Sequence, residues 1–268
     1  MLPPSVLTRT ARDQRRSLLI WCVALVALVG MYVAFYPSIR DNASYTKLID
    51  EMPKAYRALF SVTSGADFTS AVGYLNTELL SFMAPLLVLV HAIGAGSAAI
   101  AGEEERHTLD LLLANPVSRT RVLLEKFAAV AGGVGVLMAT LWAALVALGA
   151  VAGMHAPVAN GAAAVVHLGL LGVEFGALAV LTGAVTGHLG ASRAVPALLA
   201  VVSYLLNAFG QLVRWLRPLR PISPFYAYNG HDPLRTGPWT VGILVVVATT
   251  AVVVAAAVVA FGRRDVRV

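Results

Sequence analysis

Six apolar stretches of this chain are each long enough to cross a lipid bilayer, and they constrain its fold more than any other feature. A transmembrane helix needs about 20 predominantly apolar residues. The stretches predict six membrane-spanning helices, which we number as spans 1 to 6, over residues 17–36, 75–100, 120–153, 161–187, 194–213 and 239–261. The predicted fold is therefore an all-α integral membrane protein in which residues 1–268 form a single transmembrane domain.

The amino-acid composition agrees with a membrane protein. Of the 268 residues, 58% are hydrophobic and 13% are charged, whereas soluble domains carry about 25% charged residues. The net charge of +6 is explained by Lys and Arg on the cytoplasmic side, so membrane lipid is an expected partner and nucleic acid is not. Cys22 is the only cysteine, and the histidines do not recur at metal-ligand spacing, so no metal site is predicted.

The placement of Lys and Arg predicts the orientation of the spans. With the N-terminus in the cytoplasm, the inner segments carry twelve Lys and Arg residues and the outer segments carry eight, which is the bias of the positive-inside rule. Six spans then place the C-terminus in the cytoplasm as well. The high content of Arg, Ala, Val and Gly is typical of a GC-rich bacterial genome, so we expect a multi-pass protein of the bacterial plasma membrane.

Two outer segments are predicted to carry short helices. Between spans 1 and 2, helical spacing relates Leu48, Met52, Ala55 and Leu59, which favours a short amphipathic helix. Between spans 5 and 6, Trp215 lies within a cluster of arginines, Arg214, Arg217 and Arg220. That cluster predicts an interfacial helix whose arginines extend toward lipid headgroups.

A dense block of charge separates spans 2 and 3. It begins with Glu103, Glu104, Glu105 and Arg106. Leu109, Leu112 and Leu113 follow at the spacing of one helical face, and Asn115-Pro116 ends the pattern, because a residue before proline disfavours the α region. The pattern predicts an amphipathic helix over residues 103–114 along the cytoplasmic membrane surface. Two interpretations are open: a connector lying at the lipid interface, or a surface that fits a basic groove on a cytoplasmic protein. An interfacial helix near anionic lipid would be rich in Lys and Arg, so the acidic start favours the second interpretation.

The run from Gly102 to Arg119 resembles the signature of the ABC-2 type permeases, the membrane subunits of a class of ABC exporters. Its charge order, leucine spacing and Pro-Val-Ser-Arg ending all agree, although His107 stands where many relatives have glycine. The resemblance covers nearly the whole chain and includes the six-span layout. It also includes three short motifs, Asn76-Thr77-Glu78, Ser223-Pro224-Phe225 and Phe261-Gly262-Arg263-Arg264-Asp265.

The resemblance implies a type V exporter-like fold in which residues 103–114 form the coupling helix. This helix docks in a cleft of a separate ATP-binding subunit. Two six-span halves associate, and we expect a homodimer rather than a heterodimer, with an ATPase on each half. An apolar or amphiphilic substrate then leaves the cell by alternating access. The expected polar contacts to the ATPase come from Glu103, Glu104, Glu105, Arg106 and Asp110, and the expected anchors are Leu109, Leu112 and Leu113.

The chain itself is not predicted to hydrolyse ATP. A phosphate-binding loop needs Gly-x-x-x-x-Gly-Lys followed by Ser or Thr. Lys47 precedes leucine, Lys54 precedes alanine and Lys126 precedes phenylalanine, so none of the lysines can take this role. The chain is therefore expected to be no enzyme by itself and to hold no cofactor, with ATP and Mg²⁺ bound by the partner ATPase.

Polar groups inside the spans are the remaining candidates for function. Glu174 lies near the middle of span 4, where an ionisable group is a functional hypothesis by default, and His167 lies on the same helical face. These two could couple transport to protons, or they could form helix–helix hydrogen bonds beside small glycines. His91 in span 2 and Asn207 and Gln211 in span 5 are candidates for lining a pathway, since spans 2 and 5 border the central path in the resembling family.

Two other functions are open. The chain could be a proton-coupled secondary transporter that uses Glu174 and His167. It could also be a membrane enzyme acting on lipid-linked substrates, although neither a Gly-x-Ser-x-Gly motif nor a His-Glu-x-x-His motif is present. A secondary transporter has no need of an acidic docking segment, so the ABC permease is the favoured function.

Overall fold

The protein is described by a computed structural model over residues 6–40, 42, 47, 51–59, 69–109, 117–154 and 157–264. Within these ranges the regular structure is helical, and six helices are long and apolar enough to cross a bilayer. Spans 1 to 6 are Val6–Arg40, Ala71–Ala99, Arg119–Val151, Val158–Thr186, Leu189–Phe209 and Thr240–Arg263. The predicted all-α fold with six spans is confirmed.

Some helix ends differ from the predicted bounds. Span 1 begins at Val6 rather than at residue 17, because the Arg-rich sequence before the apolar stretch continues the same helix. Span 5 runs from Leu189 to Phe209 instead of from 194 to 213. Gly210 follows the last helical residue of span 5, and the chain then turns. Helix geometry does not have to stop where the hydrocarbon stops, so apolar length alone misplaces these ends.

Span 2 contains a stretch of π-helix. Its residues are α-helical over Ala71–Tyr74, π-helical over Leu75–Met83 and α-helical again over Ala84–Ala99. The wide turn leaves one carbonyl without a partner in the helix: the amide of Ala84 donates to the Leu79 carbonyl, and Pro85 has no N–H to give to Leu80. The hydroxyl of Tyr228 donates to the Leu80 carbonyl at 2.6 Å. A side chain from the connection between spans 5 and 6 thus completes the hydrogen bonding of span 2.

Span 4 is the centre of the helix bundle. In the most apolar window of span 4, 72% of the residues are buried, against 17, 17 and 11% in spans 1, 5 and 6. Span 4 packs against spans 2, 3, 5 and 6, whereas span 1 packs mainly on span 3. Span 2 approaches span 4 closely at Gly96, where a Cβ would lie 2.5 Å from the Gly176 carbonyl oxygen. Small residues permit such close helix packing in membranes.

The connection between spans 5 and 6, called the outer segment after its predicted side, folds back against the end of the bundle opposite the charged segment. It contains a 3₁₀ helix, Arg217–Ile222, and two short helices, Pro224–Asn229 and Pro233–Thr236. Trp215 is 70% exposed, as an interfacial position would be. Arg220 is different, because its guanidinium donates to the Asn207 side chain at 2.9 Å and lies 5.0 Å from the ring centre of Tyr226. The prediction that this arginine extends toward headgroups is therefore wrong.

The predicted helix between spans 1 and 2 is present in part. Lys54–Leu59 is helical, and Met52 lies in a bend before it. Leu48 lies outside the described residues. The Leu59 carbonyl accepts a hydrogen bond from the hydroxyl of Tyr204, which fixes the end of this short helix against span 5.

Candidate coupling segment and transmembrane cavities

The charged segment after span 2 is not one continuous helix. Ala101–Glu105 is helical, Arg106 follows it, and His107 has a φ of 55° in the left-handed region. The amide of His107 donates to the Glu104 carbonyl and the amide of Thr108 donates to the Glu103 carbonyl, which is the Schellman pattern that ends a helix. The prediction of an unbroken helix over 103–114 is therefore wrong, and residues 110–116, with Asp110, Leu112 and Leu113, lie outside the described residues.

This break gives His107 a structural role. A left-handed residue at a helix end is usually glycine, which has no Cβ to clash. The position where the resembling family often has glycine is thus a position where the backbone favours it. Within this short helix, Glu103 and Glu104 lie in the first turn and Glu105 is the last helical residue.

Glu103 joins the segment to span 3. One carboxylate oxygen accepts from the Lys126 ammonium at 2.6 Å, and the other accepts from the Thr108 hydroxyl at 2.6 Å. Lys126 is 3% exposed, so the pair is held away from bulk solvent. Burial raises the pKa of Glu103, but the hydrogen bonds from Lys126 and Thr108 outweigh this and hold it below its ordinary value. Glu103 is therefore charged at neutral pH.

Glu104 joins the segment to spans 6 and 4. Its carboxylate pairs with the guanidinium of Arg264, which follows span 6. The same guanidinium donates to the carbonyls of Gly183 and Ala184 near the end of span 4, both at 3.1 Å. A cation beside the last carbonyls of a helix is favourable for both. One arginine thus links the charged segment to the central span.

Glu105 joins the segment to span 5. Its carboxylate accepts from the backbone amide of Leu189, the first residue of span 5, at 2.8 Å. The amides of a first helical turn have no partner within the helix, and a carboxylate there is stabilised by the helix dipole. The three consecutive glutamates therefore contact three different spans. Leu109 is fully buried in the apolar cluster that contains Ile100, Leu123 and Phe261, whereas Arg106 and His107 are exposed.

Sequence reasoning did not identify the partners of these glutamates. Lys126 could have been noticed, because a lysine within an apolar span needs a partner. Arg264 belongs to a motif that was already part of the family resemblance. Leu189 gave no signal, since its contribution is a backbone amide and depends only on where span 5 begins.

A groove of about 750 Å³ lies between spans 2 and 5. The end nearer the charged segment carries Arg193 as its one charged side chain among the described residues, and the opposite end is aromatic. The ring of Tyr204 lies 5.7 Å from that of Phe82 and 5.3 Å from that of Phe225. The other lining residues are apolar: Leu59, Pro85, Leu86, Leu89, Val90, Ile93, Gly94, Ala197, Ala200, Val201 and Leu205.

The three pathway candidates do not line this groove. Asn207 donates to the Asn229 side chain at 2.9 Å and accepts from Arg220, so it ties span 5 to the outer segment. Gln211 is exposed in the turn after span 5, because that span ends earlier than predicted. His91 lies in the wall of a second cavity.

The second cavity, which we call the inner cleft, has a volume of about 540 Å³ and lies between spans 1 and 2. His91 is 5% exposed, and its Nε2 has no hydrogen-bond partner among the described residues. Its ring makes an edge contact with Trp21 of span 1, with centres 5.8 Å apart. Val90 and Gly94 line both the inner cleft and the groove, so span 2 is the wall between the two cavities.

Glu174 and His167 are buried in the bundle, at 6% and 3% exposure, and line neither cavity. The Thr249 hydroxyl of span 6 donates to Glu174 at 2.8 Å. The ring of His167 is hydrogen-bonded to the Ala163 carbonyl one turn earlier, at 2.9 Å. These contacts support the interpretation of Glu174 as a helix–helix hydrogen-bonding group.

Comparison with known proteins agrees with the family that the charged segment resembles. The family described as ABC-2 family transporter protein matches residues 5–266, which is essentially the whole chain. Comparison with curated proteins gives no match. A match over this length includes all six spans, the charged segment and both cavities. The chain therefore belongs to the ABC-2 family of membrane transporter proteins.

Proposed function

We propose that this chain is the permease subunit of an ATP-driven exporter, and that residues 101–116, here called the coupling segment, receive the motion of a separate ATPase. The observation that carries the proposal is the set of bonds from Glu103, Glu104 and Glu105 to spans 3, 6 and 5. An acidic connector between two spans needs no such bonds to link them. A segment that transmits force to the bundle needs bonds of this kind to the spans.

The bonds explain how a local displacement becomes a movement of the spans. Charge-assisted hydrogen bonds are about twice as strong as neutral ones, and two of the three join ionised partners. Because Arg264 also holds the end of span 4, a shift of the segment is passed to the central helix as well. We therefore assign the three glutamates to positioning the segment, in place of the direct ATPase contacts expected from the family resemblance.

The contact with the ATPase is proposed to come from the exposed side of the segment. Arg106 and His107 are exposed at the break of the helix, and Asp110, Leu112 and Leu113, which lie outside the described residues, are proposed to add to this contact. Leu109 anchors the segment in the apolar cluster. ATP and Mg²⁺ are bound by the partner, since this chain has no phosphate-binding loop.

A second permease half is proposed to cover the groove between spans 2 and 5. Span 5 is largely exposed, because only 17% of the residues in its most apolar stretch are buried. The groove beside it is apolar. An identical half placed there encloses a path between the two copies, which suits an apolar or amphiphilic substrate. Both termini lie in the cytoplasm of a bacterium in this proposal, and the substrate moves outward across the plasma membrane.

Purification of the tagged full chain from the membranes of its host tests the ATPase partnership. We expect a protein with a phosphate-binding loop to co-purify, because the chain needs one for ATP-driven transport. Arg106→Glu should reduce this association. Arg121→Glu is the matched control, since Arg121 is also an exposed arginine at the inner end of the bundle. Absence of any ATPase refutes the permease function, and equal retention by both variants refutes the proposed contact.

A charge exchange tests the positioning role of the glutamates. Glu104→Arg should lower the ATPase rate of the purified complex without releasing the ATPase, because the link to spans 6 and 4 is lost. Adding Arg264→Glu should restore part of that rate by re-forming the pair in reverse. Arg263→Glu, on the adjacent exposed arginine, should give no rescue. A double variant that is no better than Glu104→Arg alone would contradict this role.

A further inference from the structure

We infer that the inner cleft between spans 1 and 2 binds an anion of drug size that is polar along one long edge and apolar along the other. Its volume of about 540 Å³ lies in the usual range for small-molecule sites. Its use as a loading site for exported substrate rests on the proposed function, whereas binding itself does not.

The two long walls of the inner cleft differ in polarity. Span 1 contributes Arg9, Thr10, Asp13, Gln14 and Ser17, whose spacing places them along one side of the helix. Span 2 contributes small apolar residues, Gly94, Ala95, Ala98 and Ala99. An acyl chain would leave the polar wall without hydrogen bonds, and a sugar would leave the apolar wall wet. A ligand with one polar and one apolar edge satisfies both walls.

The charged residues at the mouth of the inner cleft favour a ligand with one negative charge. Lys126 and Glu103 pair with each other there at 2.6 Å. The remaining charged groups are two cations, Arg9 and Arg106, and one acid, Asp13. This leaves an excess of one positive charge near the cytoplasmic surface, where a carboxylate or sulfate would receive charge-assisted hydrogen bonds.

The far end of the inner cleft requires a polar atom from the ligand or from water. His91 lies 12 positions before Glu103 in sequence, which is about 18 Å along the helical part of span 2. Its buried Nε2 has no partner among the described residues, and buried polar groups are nearly always hydrogen-bonded. A hydroxyl at the end of the ligand opposite its anion would supply that bond, beside the ring of Trp21.

Equilibrium binding of radiolabelled cholate tests the inference, because cholate has a carboxylate at one end and hydroxyls along one face. The full chain is placed in nanodiscs of zwitterionic lipid, with empty nanodiscs as the blank. We expect saturable binding of radiolabelled cholate that unlabelled cholate displaces. Palmitate, which has no polar edge, should displace it poorly. Arg106→Gln and His91→Phe should each weaken binding about tenfold, the loss expected for one charge-assisted or buried hydrogen bond.

Matched controls separate the inner cleft from other surfaces. Arg15→Gln removes an exposed arginine from the opposite side of span 1 and should leave binding unchanged. Ala98→Leu narrows the inner cleft and should abolish binding, whereas Ala197→Leu narrows the groove and should not. Thermal unfolding of each variant verifies its fold. If a charge variant does not fold, the Ala98→Leu result decides the test in its place. Binding equal to empty nanodiscs, equal competition by palmitate, or equal losses from Ala98→Leu and Ala197→Leu would overturn the inference.

The test does not need an ATPase. If cholate binds as described and no ATPase co-purifies, the site stands and the exporter function fails. If the ATPase associates and cholate does not bind, the exporter function stands and the inner cleft has another purpose.

Discussion

The hydroxyl of Tyr228 is expected to stabilise the bundle, and Tyr228→Phe measures its contribution. The substitution removes one oxygen and leaves the ring in place. In the variant, the Leu80 carbonyl loses its 2.6 Å hydrogen bond. Neither Ala84, whose amide is used by Leu79, nor Pro85, which has no N–H, can replace it. The carbonyl is left buried without a partner.

The size of the effect follows from this geometry. Removing one partner of a buried hydrogen bond costs about 1–3 kcal/mol, because the other partner keeps its desolvation penalty. For a chain of this size, each kcal/mol lowers the Tm by about 2–4 °C. Tyr228→Phe should therefore lower the unfolding temperature of the detergent-solubilised protein by about 2–12 °C, measured at one fixed scan rate.

Tyr226→Phe is the control for this prediction. Tyr226 lies on the same short helix, Pro224–Asn229, and its hydroxyl has no hydrogen-bond partner among the described residues. The control should change the free energy of unfolding by no more than about 0.5 kcal/mol. Equal Tm values for Tyr228→Phe and the wild type, or an equal loss in both variants, would refute the argument that the outer segment completes the π-helical turn.

Three further measurements test other parts of the structure. Gly96→Ala should destabilise the protein by about 1–3 kcal/mol, because the new Cβ meets a backbone oxygen at 2.5 Å. The Cβ of Gly94→Ala meets no described atom within 4 Å, so this variant should be neutral in the same thermal assay. The folded state lowers the pKa of Glu103, so its ion pair stabilises the fold above the ordinary pKa of glutamate and is lost as pH falls through the lowered pKa. The difference in stability between the wild type and Glu103→Gln should therefore shrink below pH 4.5. Glu174→Gln keeps an acceptor for Thr249 and should leave the pH profile of transport unchanged; a shifted profile would favour proton coupling.

The spans could be predicted from the sequence because bilayer thickness sets a length that apolar stretches either reach or do not reach. Their ends could not, since the helix of span 1 continues through its arginines and span 5 stops at Gly210. This error placed Gln211 inside the membrane. Helical periodicity also did not predict the break at His107. The left-handed backbone conformation of this residue is set by the hydrogen bonds that end the helix and not by the residue type.

The roles of polar residues were the hardest to predict. Charge order singled out the three glutamates as a unit, but their partners are far away in sequence, as for Glu104 and Arg264. A sequence pattern does not show which distant group meets which. His91 was expected on the path between spans 2 and 5, and it faces span 1 instead, since the side of a uniformly apolar helix cannot be assigned from its composition.

The glycine at position 94 limits how the two cavities can evolve. It lines the groove on one side of span 2 and the inner cleft on the other, and no described atom lies within 4 Å of the place where its Cβ would be. A larger residue there would take volume from both cavities at once. Selection for a different ligand in either cavity can act on Gly94 only by altering the other, so independent adaptation must come from residues that line one cavity alone, such as Ala98 in the inner cleft and Leu89 in the groove.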